Sequence, residues 1–272
     1  MKIKSIIALV LALVLCTVSF AAFAEDASLQ KVLDKKQLIL GFDASFPPMG
    51  FTDENGDYVG FDIDVAKEVA SRLGVELVLQ PIDWNAKDLE LNSGNIDCIW
   101  NGMTVTDERK ASMSLSIPYL NNAQVLSVLK DSPIKTIADM AGKTLALQSG
   151  SSAAEAVAAN ADLLASLKTA PVEYSDNALA LLDLENGGVD AVALDVIVAN
   201  YYIAKKNANY RVLDEQLAPE QYAVGFRKDD IALTDAVNKT LIEMSKDGKL
   251  AAISTEWFGS DVTIVAEQAA AQ

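Results

Sequence analysis

Apolar positions along the chain follow two alternating spacings. Short unbroken apolar runs read as buried strands: "QLILGF" at 37–42, "VELVLQ" at 75–80 and "IDCIW" at 96–100. Between the first two lies "DIDVAKEVASRLG". There Ile63, Val65, Ala66, Val69, Ala70 and Leu73 fall near helical spacing, and Gly74 stops the helix. "KDLELNSG" reads as a helix end. The order β-α-β-α-β predicts a parallel sheet with helices on its faces.

A second series starts near residue 135. "TIADMAG" reads as a short helix, "KTLALQ" as a strand and "SSAAEAVAANA" as a helix. "APVEY", "VDAVALD", "YRVL" and "QYAVGFRK" read as further strands, with helices in "SDNALALLDLENG" and "VIVANYYIAKKN". Two closing helices follow in "DIALTDAVNKTLIEMSKDG" and "KLAAISTEWFG", and "VAEQAAAQ" reads as a loose tail. No sequence repeat and no Gly-, Ser- or Pro-rich linker separates the two series. Two α/β series without a floppy connector imply two lobes. Open α/β sheets place ligands beyond the carboxyl ends of their strands, so facing lobes would share one cleft that closes by a hinge.

The first residues belong to a different pattern. Lys2 and Lys4 precede the apolar "SIIALVLALVLCTVSFAAF", and "AFA" at 22–24 fits small-x-small cleavage. A lipid anchor would use Cys16, but bulky Leu15 precedes it, and no basic stop-transfer segment supports a retained anchor. Cleavage after Ala24 is therefore expected. No other stretch is long and apolar enough to span a bilayer. Cleavage also leaves Cys98 as the sole cysteine, expected to be a buried, inert thiol.

Charge narrows the partners. The chain has 38 acidic against 22 basic residues, and loss of Lys2 and Lys4 makes the mature part more acidic still. That disfavours nucleic acid and anionic membrane. There is no histidine, which removes the commonest general base, the usual Ser-His or Cys-His pair and the commonest zinc ligand. No metal or cofactor is expected.

Chemistry-bearing residues gather at the predicted strand ends. Asp43 and Phe46 follow the first strand, Trp84 the second, and "NGMTVTDER" the third. Arg109 offers a fixed fork of donors that matches a carboxylate, or it forms a surface ion pair with Asp107 or Glu108. Gly102 and Thr104 suit close backbone approach and a hydroxyl donor, or ordinary turn chemistry. "GSS" at 150–152 opens a helix, whose free N–H groups suit an anion, while Ser151 or Ser152 can simply cap it. Asp195 can accept an ammonium or cap the helix that follows. Phe46 and Trp84 can wall a ligand side chain or pack in the core. Asp43 can reach a ligand's polar tip or satisfy local backbone.

Taken jointly, "FDASFPPMGFTDENGDYVGFDIDVAKEVASRLG", "GMTVTDERK", "LALQSGSSA", "VDAVALD", "YAVGFRKDD" and the late "WFG" are specific. They resemble the periplasmic solute-binding proteins for polar amino acids, partners of ABC transporters, a group that includes histidine-, lysine/arginine/ornithine- and glutamine-binding proteins. The resemblance covers essentially the whole mature chain. It implies the two-lobe periplasmic-binding-protein fold of type II: residues 25–120 plus 223–272 as lobe 1 and 121–222 as lobe 2.

It further implies that Arg109 binds the ligand carboxylate, with Gly102, Thr104 and Ser152 beside it. Asp195 would receive the α-ammonium, Phe46 and Trp84 would form aromatic walls, and Asp43 would lie near the side-chain end. Asn101 takes a place that is often serine or alanine, and Trp100 and Met49 are bulkier or less usual than in those relatives. The implied protein is a monomeric, exported binder that delivers an amino acid to a membrane permease. Two alternatives share the scaffold: a dehydratase acting on prephenate or arogenate, with Glu173 or Asp43 as its acid, and a ligand-sensing binding protein.

Overall fold

The computed structural model describes residues 26–206 and 208–271. The export signal expected in residues 1–24 lies outside them. Along the chain come α1 (Ser28–Lys35), β1 (Gln37–Phe42), β2 (Ser45–Phe46), β3 (Gly50–Thr52), β4 (Tyr58–Val59), α2 (Phe61–Leu73), β5 (Glu76–Pro81), α3 (Lys87–Asn92), β6 (Cys98–Ile99), α4 (Asp107–Ser112), β7 (Met113–Leu115) and β8 (Leu120–Leu129). Then follow β9 (Leu145–Gln148), α5 (Ser152–Ala159), α6 (Ala161–Ser166), β10 (Val172–Tyr174), α7 (Asn177–Glu185), β11 (Ala191–Asp195), α8 (Val196–Lys205), β12 (Tyr210–Tyr222), β13 (Gly225–Arg227), α9 (Ile231–Lys246), α10 (Lys249–Phe258) and α11 (Val265–Ala270).

Two five-stranded sheets form the two lobes, ordered β5-β1-β6-β13-β7 and β10-β9-β11-β8-β12. The parallel sheets expected from β-α-β alternation are present only in part. β1 runs parallel to β5 and β6, and β9 runs parallel to β10 and β11. β13 is antiparallel to β6 and β7, β8 to β11, and β12 to β8. β8 and β13, which run against their neighbours, each follow the preceding strand with no helix between, so their direction is not tied to a βαβ unit. A third, small sheet, β2-β3-β4, covers the edge beside Asp43.

The chain passes between the sheets where β8 begins and β12 ends. Leu120 and Tyr222 are paired residues there. Tyr222 also bridges to Thr104, and its carbonyl accepts from Tyr119 N at 2.9 Å. Two strands side by side make a compact crossing about which one lobe can turn on the other. Pro219, which lacks an N–H, is tolerated because β12 lies at the edge of its sheet.

The core follows from the apolar periodicity. On α2, Ile63, Val65, Ala66, Val69 and Ala70 are buried, and Gly74 closes the helix at φ 72°. All but Ala70 join Phe42, Phe61, Trp100, Tyr119, Tyr222 and Phe226 in one cluster. Leu126, Leu145, Leu147 and Leu213 form a second, under α5 and α6. Cys98 is fully buried, and burial pushes its thiol far up, consistent with an inert role. No helix among the described residues is long and apolar enough to cross a membrane.

One expectation is overturned. "VAEQAAAQ" is not a loose tail: residues 265–270 form α11, Val265 is fully buried, and Thr263 bridges to Leu120. Ile264 N donates to Tyr119 O at 3.0 Å, which ties the segment to the crossing. Burying a valine contributes about 1.5 kcal/mol or more. Truncation after Ser260 is therefore expected to lower Tm by about 3–6 °C in thermal unfolding. An unchanged Tm would mean the segment is not docked.

Candidate functional site

β6 ends in a turn that only glycine suits. Gly102 has φ +57°, and a Cβ there would stand 2.8 Å from Phe46 Cε1 and 3.2 Å from the Tyr222 ring. The turn is held from behind. Gly102 N donates to Asp62 Oδ2 at 2.6 Å, and Tyr119 OH donates to the same oxygen at 2.9 Å. Full burial raises the Asp62 carboxyl to about 7, against the pull of those bonds. Asn101 Oδ1 accepts from Asp43 N at 3.1 Å, while Asn101 Nδ2 has no partner among the described residues.

The segment after the turn is a helix start. Thr106 Oγ1 accepts from Arg109 N at 3.2 Å, and Asp107 and Glu108 occupy the first turn of α4. This cap fixes Arg109 at the third helical position and points it inward. Arg109 is 5% exposed, and its Nη1 donates to Thr104 O at 2.8 Å. Its nearest acid lies in the other lobe: Nη2 is 3.7 Å from Glu155 Oε1. Asp107 instead pairs with Lys110 at 3.1 Å, so the local ion pair that competes with the carboxylate reading does not form.

The facing lobe divides its serines. Ser151 Oγ caps α5 by accepting from Ala154 N at 3.3 Å. Ser152 is thereby free to face the other lobe. Its Oγ lies 2.9 Å from Thr104 Oγ1 and accepts from Gln124 Nε2 at 3.1 Å. Gln124 Nε2 also donates to Glu220 Oε1 at 2.9 Å. Asn122 Nδ2 donates both to Glu220 Oε1 and, at 2.7 Å, to Asp195 Oδ1. Tyr222 OH completes the set, donating to Asp195 Oδ1 at 2.6 Å. Asp195 stands at the N-cap of α8 but makes no side-chain cap, so its carboxylate faces this network rather than the helix. Burial raises its pKa, against the Tyr222 bond.

Asp43 sits at another interlobe contact. Its Oδ1 accepts from Ser45 N at 2.8 Å and its Oδ2 from Gln148 Nε2 at 2.8 Å. Burial raises it to about 6. Behind it, Asn177 Nδ2 donates to Gln148 Oε1 at 3.2 Å, and Asn177 Oδ1 has no partner among the described residues. Phe46 packs in the main core against the Gly102 turn. Trp84 belongs to a separate cluster with Leu91, Ile96, Ile99, Met103 and Met113. The structure does not stack the two rings on each other: no ring pair among the described residues includes either. The Lys87 ammonium lies 5.4 Å over Trp84 and donates across the seam to Gly150 O at 3.1 Å. Burial first, then the nearby Arg109 charge, lowers the Lys87 pKa.

Arg109 and Lys87 border a cavity of about 280 Å³ shared with Gly150, Ser151 and Glu155. A more open groove of about 700 Å³ begins beside Asp43, at Ala44 and Ser45, and continues to Tyr201, Tyr202 and Lys206. Both are walled by the two lobes. Arg109, Thr104, Ser152 and Asp195 thus share one continuous polar network. Sequence reasoning missed Asp62, Lys87, Asn122, Gln124, Gln148, Asn177, Glu220 and Tyr222. Gln148, Glu220 and Tyr222 stand at or near strand ends, the signal that marked the others. Glu173, an acid proposed for the dehydratase alternative, is exposed and accepts from Ser149 Oγ at 2.7 Å. No cluster of acidic or cysteine side chains suited to a metal occurs among the described residues.

The chain belongs to the bacterial extracellular solute-binding proteins, family 3, whose pattern matches residues 38–260. It is 33% identical over 247 residues to the L-cystine-binding protein TcyJ of Escherichia coli K12, covering 90% of this chain and 91% of that one. A solved structure of an ABC uptake transporter substrate-binding protein from Streptococcus pneumoniae with bound histidine superposes at TM-score 0.85, with 41% identity, over 88% of this chain and 99% of that one. An ancestral amino acid-binding protein, AncCDT-1, a precursor of cyclohexadienyl dehydratase, superposes at TM-score 0.78, with 33% identity, over 85% and 99%.

Gly102→Ala tests the turn. A methyl against the buried Phe46 ring, at a positive φ, is expected to cost about 1–3 kcal/mol. Denaturant unfolding reads this directly, and a loss below about 0.5 kcal/mol would mean the turn has slack.

Proposed function

We propose that this protein captures a polar L-amino acid between its lobes and delivers it to the membrane permease of an ABC transporter, without chemical turnover. The observation that carries this reading is the single polar network running from Arg109 in one lobe to Asp195 in the other. Arg109, nearly buried, clasps the α-carboxylate with help from Thr104 and Ser152. Asp195 accepts the α-ammonium. Asp43, with Gln148 and Asn177, meets the polar end of the side chain, and Phe46, Trp84 and Asn101 line the remaining wall. The amino acids named for its relatives, cystine and histidine, support this ligand class.

The lobes divide at residues 120/121 and 222/223, where the chain crosses. The protein acts as an exported periplasmic monomer after cleavage behind Ala24. Each charge-assisted hydrogen bond contributes roughly 1.5–3 kcal/mol net, and a micromolar binder needs about 8 kcal/mol in all. A few such contacts suffice after ordering costs. Because each lobe supplies different contacts, the ligand favours closure, and the transporter reads the closed form.

The test is a thermal-shift panel of L-amino acids, L-cystine included, on protein unfolded and refolded to strip carried-over ligand. A ligand at 100 times its dissociation constant adds about 2.7 kcal/mol of stability, so at least one strong upward shift is expected. Arg109→Ala should weaken that ligand by at least about 30-fold, or 2 kcal/mol, with little change in unliganded Tm. Binding at near wild-type affinity would show that Arg109 does not hold the carboxylate.

A further inference from the structure

Glu220 lies beside the proposed ammonium acceptor, near the end of β12. It is half-buried on β12 and shares a donor with Asp195 at the end of β11: Asn122 Nδ2 donates to Glu220 Oε1 and to Asp195 Oδ1. The side chains that serve the two carboxyl groups are neutral: Asn122 and Gln124 from β8, and Tyr222 from β12. The next titratable group is Tyr119, at a ring distance of 6.4 Å from Tyr222 and bonded to Asp62 of α2. Arg109 of α4 and Glu155 of α5 are engaged with each other and with Thr104, on the far side of the Thr104–Ser152 contact. α8 presents only the Ile197 backbone N–H, to Asn122 Oδ1 at 3.4 Å.

Two half-buried or buried carboxyl groups that share one amide donor, and are served only by neutral donors among the described residues, resist being ionised together without a cation between them. Burial and the Asp195 charge push Glu220 up to about 8. At neutral pH the pair therefore holds one proton.

We propose that Glu220 is the second half of the ammonium site, and that the ligand's α-ammonium takes the place of the proton shared by Asp195 and Glu220. The ammonium keeps its own three protons. The carboxyl O–H breaks, its proton passes to solvent, and two carboxylates then hold one cation. The inference rests on the amino-acid reading above and adds a residue and a proton to it. The sign follows from linkage: binding requires the deprotonated pair, so affinity falls as pH drops below about 8.

The test is calorimetric titration of stripped protein with L-arginine, L-histidine and L-cystine in turn, at pH 7, in phosphate and in Tris. The dependence of the observed heat on buffer ionisation enthalpy counts protons. For whichever probe binds, wild type is expected to release about 0.5–1 proton per ligand and to bind about five- to tenfold more tightly at pH 7 than at pH 6. Glu220→Gln is expected to abolish both the release and that pH dependence. Binding with no proton release in wild type, or equal release by Glu220→Gln, overturns the role of Glu220 and leaves the amino-acid reading standing. If all three fail, the strongest ligand of the thermal-shift panel replaces them, and failure of every L-amino acid in that panel overturns both.

Discussion

One hydroxyl–hydroxyl bond, Thr104 Oγ1 to Ser152 Oγ at 2.9 Å, joins the two halves of the site. On one side of it stands a nearly buried guanidinium, and on the other a buried carboxyl pair. Neither charge can be left far from water without a partner. The fold resolves this by giving each lobe half of the solution. Arg109 rests on Thr104 O, and Asp195 rests on amide and phenol donors that lead back to Ser152 through Gln124. In the proposed complex a zwitterion across that bond would satisfy both lobes at once, and a ligand lacking either charged end would leave one of them unpaired.

The crossing between lobes is part of the same chemistry. Tyr222 pairs with Leu120 in the crossing strands, packs against the Gly102 turn and donates to Asp195. Rotation of one lobe on the other therefore moves the ammonium acceptor relative to the carboxylate turn. Among the described residues the other side-chain bonds across the seam include Gln148 to Asp43, Lys87 to Gly150, and the longer Arg109–Glu155 and Lys206–Glu54 pairs. Each of these contributes on the order of 1 kcal/mol net, against water that would otherwise serve the same groups. Ligand contacts worth several kcal/mol are enough to decide between open and closed forms.

How much of this was legible depended on how local the signal was. Arg109 could be read because its placement is set locally, between residues 99 and 109: a strand end, a glycine turn and a Thr-Asp-Glu cap. α2 could be read because its buried face recurs at helical spacing and Gly74 ends it. The crossing strands were legible only in part: "YRVL" and "QYAVGFRK" marked the two ends of β12, while its middle and β8 were not read. β8 opens with "LNNAQ" and β12 contains "DEQLAPEQY", polar stretches that look like loop because their side chains face the cleft and the crossing rather than one apolar layer. Asn122, Gln124 and Glu220 were lost with them. The division of labour between Ser151 and Ser152 was also beyond sequence, since adjacent serines at a helix start are equivalent until the helix direction is known. α11 was hidden because a short Ala-rich helix is stabilised almost wholly by what Val265 packs against.

The most direct measurement is the affinity of the best-binding amino acid against two analogues, one with its α-ammonium removed and one with its carboxylate blocked as the methyl ester. The account predicts that each change weakens binding to wild-type protein by at least about 30-fold, because each leaves a buried charged group without its partner. Either analogue binding within about threefold of the parent would contradict it.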